Sequence, residues 1–172
     1  MPRLPMKDMG AAEVIWGYGE SDAIVLTPHL GRISLKDTMA SKDIQEEAFG
    51  DNPVDAVATG RPIEVSVPMT RSTLEQLEAV LHGTLLGDVL TVTAFVGCAM
   101  YDDSKAMLIK PMCDGVASVD HKEWVEIFHT YPLPAVDLGW ARDEQRVFLV
   151  TFKTFVSQES GHQGEVYSIG VL

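Results

Sequence analysis

Hydrophobic and polar residues alternate along most of this chain with the period of two that marks β-strands. In "GRPIEVSVPM" (60–69), Ile63, Val65, Val67 and Met69 fall on one parity and Glu64, Ser66 and Pro68 on the other. This predicts a half-buried strand, with Pro68 on the outward parity near its end, where a missing N–H is tolerated. Val14, Trp16 and Tyr18 alternate in "EVIWGYG". Further strands are predicted for 22–28, 31–36, 89–97, 106–111 and 123–131, with the closing "GEVYSIGVL" as an edge strand. The strongest signal is "RVFLVTFKTFV" (146–156). Phe148, Val150, Phe152 and Val156 share one face there, and Val147, Leu149 and Phe155 the other. Apolar residues on both faces predict cover on both, by the core within and by another layer or subunit outside.

One segment has helical spacing. Leu74, Leu77, Val80 and Leu81 fall on one side of a helix, while Glu75, Gln76 and Glu78 turn to water. Ser72 with Glu75 three residues later predicts a capping box, and Gly83 or Gly87 the helix end. About eight strands and one helix predict a mainly β fold. It is an antiparallel β-sandwich or barrel with one flanking α-helix.

Residues 37–59 break the pattern. They are polar and acidic, with a weak alternation of Ile44, Glu46 and Ala48 against Gln45, Glu47 and Phe49 and a turn signal at Asp51-Asn52-Pro53. They predict a long protruding hairpin or loop, and such protrusions in compact domains contact something. Ile44, Glu46, Glu47, Phe49, Asp51, Pro53 and Val54 are therefore the candidates for contact between subunits. Phe155, on the second apolar face of 146–156, joins them. Residues 1–11 read as a flexible N-terminal arm, and 1–172 as a single domain.

Charge narrows the function. The formal net charge is −12, from 25 acids against 13 bases, with no local run of Lys or Arg. Gripping nucleic acid needs clustered cations, so the charge argues against a nucleic-acid-binding surface, although an acidic wall could face DNA and repel it. No stretch of about 18 apolar residues predicts a membrane span. Cys98 and Cys113 make no disulfide framework and no metal-type spacing.

The search for chemistry comes back empty. His29, His82, His121, His129 and His162 show no H-x-x-x-H spacing, and there is no phosphate-binding loop, nucleophile elbow or zinc-protease motif. Asp102, Asp103 and Asp120-His121 would form an acid–base or metal cluster only if the fold joined them. Surface turns are the ordinary role of such residues. Trp16, Trp124 and Trp140 lack the interleaved cations of a base-stacking surface, which makes them core or interface anchors. These readings predict no cofactor, no metal and no catalytic residue.

The order of these segments resembles the tail tube (major tail) proteins of long-tailed bacteriophages. In that family an aromatic-Gly-x-x-Pro-Val-Asp turn precedes a Gly, an alternating strand and a helix. Phe49 to Asp55, Gly60, Ile63 to Val67 and Leu74 to Leu81 hold those places here. A K-x-L-x-I-x-P strand, a kAxP-like segment and a D-x-x-R-V-x-x-V-x-F strand follow at Lys105 to Pro111, Thr130 to Pro134 and Asp143 to Phe152. His129 and Thr130 depart from the family's usual Lys-Ala pair. The resemblance runs from about residue 12 to 172 and implies a non-enzymatic virion protein. Such a subunit forms hexameric rings that stack, with other tail proteins, into a tube assembled in the host cytoplasm. The genome passes through it unbound. Another ring-forming tail protein, such as a terminator, fits the same pattern. A small β-barrel enzyme or ligand-binding protein with a pocket near Asp102, Asp103 and His121, or Cys98, is the reading from a different class.

Overall fold

The computed structural model describes residues 11–26, 32–45, 52–70, 72–93, 97, 99–135 and 147–170. The N-terminal arm expected over 1–11 falls almost wholly outside them, as does Trp140.

The fold is mainly β, with a large antiparallel sheet. Its strands are β1 (Ala12–Trp16), β2 (Ile24–Val25), β3 (Ser34–Asp37), β6 (Ile63–Met69), β9 (Lys105–Cys113), β11 (Val125–Ala135) and β12 (Phe148–Phe155). They lie in the order β2-β1-β9-β11-β12-β6-β3. β10 (Val116–Ala117) adds to β9 and β13 (Tyr167–Ile169) to β11, making nine strands. Two hairpins stand apart from this sheet. They are β4 (Ala40–Gln45) with β5 (Pro53–Gly60), and β7 (Gly83–Leu86) with β8 (Val89–Val92). The described residues thus hold thirteen strands rather than about eight. The extra ones are β4 and β5, expected as one protruding hairpin or loop, and β7 and β10, which are too brief to show a period.

The expected alternation in β6 is present. Ile63, Val65, Val67 and Met69 are all buried. Val65, Val67 and Met69, together with Val14, Trp16, Met107, Ile127, Val150 and Phe152, build one apolar cluster, and its removal from water is the main favourable term in folding. Pro68 differs from expectation: it is buried, in register with Leu149. The β3 ladder ends at Ser66, so the proline lies beyond the reach of β3.

The strand covered on both faces is β9, not 146–156. Met107, Leu108 and Ile109 are consecutive and all buried. In β12 only Phe148, Val150 and Phe152 are enclosed, while Leu149 on the other parity stays 47% exposed. Val156 lies past the strand end, also exposed.

β11 is the longest strand, and it changes partner along its length. Val125 to Ile127 pair with β9 on one side and β13 on the other, and His129 to Ala135 pair with β12. A register shift against β9 between Ile127 and Thr130 marks the change. Thr130 is wholly buried there and its hydroxyl is fully used. It accepts from Trp16 Nε1 at 3.1 Å and donates to the Lys105 carbonyl at 2.8 Å. Three strands are tied at the irregular point, and no polar atom of that side chain is left to cost its desolvation.

The helix, α1 (Leu74–Leu81), lies where the spacing placed it, but its caps differ. Thr73 is the N-cap: its hydroxyl accepts from the Gln76 N–H at 3.3 Å, and Gln76 Oε1 accepts from the Thr73 N–H at 3.0 Å. Gln76 Nε2 also donates to the Val25 carbonyl at 2.7 Å, so the cap is tied to β2. Leu74 is then the first helical residue and remains exposed, whereas Val80 enters the core. At the other end His82, not a glycine, takes the left-handed conformation at φ 52°. Its ring stacks on Tyr131 at 4.6 Å, which holds it there. Gly83 serves a different need: a Cβ at that position would lie 2.6 Å from Leu90 Cδ1.

The two capping arrangements separate by mutation. Thr73→Ala should destabilise the fold by about 1 kcal/mol in urea denaturation. Ser72→Ala should be neutral or stabilising, because Ser72 Oγ is buried with no hydrogen-bond partner among the described residues.

Candidate assembly interface

Three surfaces are candidates for function: the β4–β5 hairpin, the open face of β12, and a cleft beside α1. In the hairpin every described residue is exposed. Ser41 pairs with Ala58, Lys42 with Val57, Asp43 with Ala56 and Ile44 with Asp55. Opposed residues share a face, so Lys42, Ile44, Asp55 and Val57 line one side. Ser41, Asp43, Ala56 and Ala58 line the other. Ile44 is 42% exposed and Val57 52%. Val54 sits at the register shift near the tip, and Pro53 faces Gln45. Glu46, Glu47, Phe49 and Asp51 lie outside the described residues. An isolated two-stranded ribbon is marginal in water, and a row of unpaired edge groups invites further pairing.

The root of the hairpin is held by side chains. Arg61 Nε donates to Asp37 Oδ1 at 2.7 Å and to Oδ2 at 2.9 Å, and Nη2 donates to Oδ2 as well. Tyr167 from β13 donates its hydroxyl to Asp37 Oδ2 at 3.0 Å, and its ring lies 5.9 Å below the Arg61 guanidinium. The hydrogen bonds from Arg61, then Tyr167, hold the Asp37 carboxyl below its ordinary value. The same contacts raise Arg61 and Tyr167 above theirs. These three residues were not legible in the sequence. They are 24 and 130 positions apart, and no local motif links them.

On the sheet face away from the core, Leu149, Leu133 and Val147 are exposed. Leu133 faces Thr151, one rung from Leu149. Phe155, at the end of β12, is half-buried rather than free. Tyr101 meets its ring edge-on at 6.0 Å and Lys153 lies 5.9 Å from its centre.

The cleft, of about 690 Å³, opens between α1 and the turns at 17–23 and 101–104. Glu20, Asp22, Glu75, Glu78, Asp102 and Asp103 line it together with His82 and Lys105. Lys105 pairs with Glu20 at 3.1 Å and with Asp22, and lies 5.5 Å over the Trp16 ring. Burial opposes its charge, but the hydrogen bonds to Asp22 and Glu20 prevail and its pKa is raised. That contact lowers Asp22 in turn. Asp102 and Asp103 thus do reach a cleft. His121 does not: it stacks on Trp124 at 4.0 Å, in a short 3₁₀ turn capped by Asp120. Cys98 lies outside the described residues, and Cys113 is exposed and free.

Beside the cleft, Ser104 and His129 are hydrogen-bonded, yet the proton inventory is structural. Ser104 donates its hydrogen to the Tyr101 carbonyl at 2.6 Å, so His129 Nδ1, 3.1 Å away, is the donor to Ser104 Oγ. Tyr101 OH accepts from the Gln158 N–H at 3.0 Å and donates to His129 Nε2 at 3.3 Å. These bonds brace the 101–104 turn against β11 and the segment after β12, with Glu159 Oε1 3.8 Å from His129 Nε2. A serine nucleophile needs the opposite arrangement, with its hydrogen directed at the base.

Among the described residues no group of three or more His, Cys, Asp or Glu could hold a metal ion. Among them no helix is long and apolar enough to cross a membrane. Comparison of the sequence with protein families and with curated proteins finds no match.

The hairpin root has a titration signature. Asp37 has a folded pKa below its unfolded value. It therefore adds stability above the ordinary aspartate range and loses that contribution as pH falls through the depressed folded value. An NMR titration should place its midpoint below the ordinary aspartate value of about 3.9. Arg61→Ala should return it toward that value.

Proposed function

We propose that this chain is a structural subunit of a bacteriophage tail tube. It forms rings, hexameric by the family pattern, that stack into a channel for DNA. The observation that carries the reading is the β4–β5 ribbon, a two-stranded hairpin paired with no other strand among the described residues and exposed at every described position. A ribbon so placed gains its natural stability from a partner. The apolar face at Leu133, Val147 and Leu149 supports the same reading, because a second copy would cover it. The partners are further copies of the chain and other tail proteins, and the place is the virion tail, assembled in the host cytoplasm.

The charge suits the bore. Six copies carry about −72 formal charges, and acids lining a lumen repel phosphates so that DNA slides without sticking. The ordered motifs from Phe49 to Phe152 supply the family resemblance.

One observation favours a second reading, a ligand-binding protein: the cleft lined by Asp102 and Asp103 beside Lys105. Electron microscopy of concentrated protein separates the two. Annular particles or filaments are expected, whereas uniform small globules at every concentration would sink the tube reading. Replacing residues 40–59 by Asn-Gly should leave a folded subunit and abolish rings. Tube assembly at the parent rate by that variant would remove the ribbon from the interface.

A further inference from the structure

The β4–β5 ribbon is the outward continuation of the β3–β6 pair. Asp37 faces Ile63 as the last rung of the inner ladder, and Ala40 faces Gly60 as the first rung of the outer one. Thr38, Met39, Arg61 and Pro62 lie between the ladders. The Thr38 N–H donates to the Pro62 carbonyl at 3.2 Å there, and Pro62 has no N–H to return. A two-stranded ribbon is free to bend at such a break, since no neighbouring strand stiffens it.

Three side chains span that break. Asp37 belongs to the inner ladder, Arg61 follows the end of the outer one, and Tyr167 comes from β13, which pairs with β11. We infer that Asp37, Arg61 and Tyr167 form a latch that sets the angle of the ribbon to the sheet, so that one subunit presents the ribbon in a single orientation before meeting any partner. The path of restraint is continuous. Tyr167 packs against the apolar cluster, its hydroxyl fixes one carboxylate oxygen of Asp37, and that carboxylate engages the guanidinium of Arg61 through two nitrogens. A planar two-point contact fixes direction as well as distance, which a lysine ammonium does not do.

The latch acts mainly as a positioning device and adds only a little stability. Arg61 is about half exposed, and an exposed ion pair adds little to folding because water and salt screen it. Its effect is on the breadth of orientations. A preset orientation lowers the ordering cost of association. The latch itself holds whatever surface the ribbon meets.

Spin labels at Lys42→Cys on the ribbon and Lys153→Cys on β12 read that angle in dilute, unassembled full-length protein, with Cys98 and Cys113 replaced by serine. The parent should give one narrow distance. Arg61→Ala and Arg61→Lys should each broaden the distribution about twofold, since both lose the two-point contact. Their melting temperatures should stay within about 3 °C of the parent. A distribution for Arg61→Ala that superimposes on the parent overturns the latch. If Arg61→Ala does not fold, Tyr167→Phe decides, because it keeps the ring and removes only the hydroxyl. Broadening upholds the latch, and an unchanged distribution overturns it. Because the distances are read on single subunits, absence of rings would refute the tube reading while leaving this result intact.

Discussion

A buried threonine hydroxyl governs the layout of this molecule. β11 serves two groups of strands in succession, and at the changeover its register against β9 slips. Such a slip exposes backbone and side-chain polar groups where no water reaches. Thr130 resolves this by accepting from Trp16 and donating to Lys105, which knits β1, β9 and β11 at the irregular rung. Trp16 in turn meets Phe152 across the core at 6.1 Å. The aromatic contact thus adds a link across the core between the two groups of strands that the β11 ladders already join.

Around that centre the polar side chains act mainly as braces. His129, Ser104 and Tyr101 secure one turn. Lys105 gathers Glu20 and Asp22 at the cleft. Asp37, Arg61 and Tyr167 secure the hairpin root. What these braces leave open to solvent is apolar in part: Ile44 and Val57 on the ribbon, Leu133 and Leu149 on the sheet. Exposed apolar groups of this kind are what the proposed tail tube subunit would bury against further copies of itself.

Much of the architecture was legible because alternation is a local signal. β6 and the buried face of β12 follow from the parity of Val65, Val67, Val150 and Phe152 alone. The helix followed from its spacing, but its N-cap was displaced by one residue. Ser72, Thr73 and the acids and amides beyond them offer two overlapping boxes, and the bond from Gln76 to Val25 in another strand selects between them. The hairpin over 37–59 was legible as a polar interruption, although its contact face was not, since pairing register decides that Ile44 and Val57 lie on the same side. Asp102 and Asp103 are not joined by His121, which is held against Trp124 elsewhere.

The sequence by itself determined which residues turn inward, since the side-chain period of a strand or helix is set by the backbone and carries its own signature. It also determined the acidic surface and the presence of a protruding segment. Tertiary structure alone decided which strand is covered on both faces, where β11 exchanges partners, and which charges meet across 24 and 130 residues at the hairpin root. Those outcomes depend on strand order and register, which arise from long-range pairing and leave no trace in any short window of the chain.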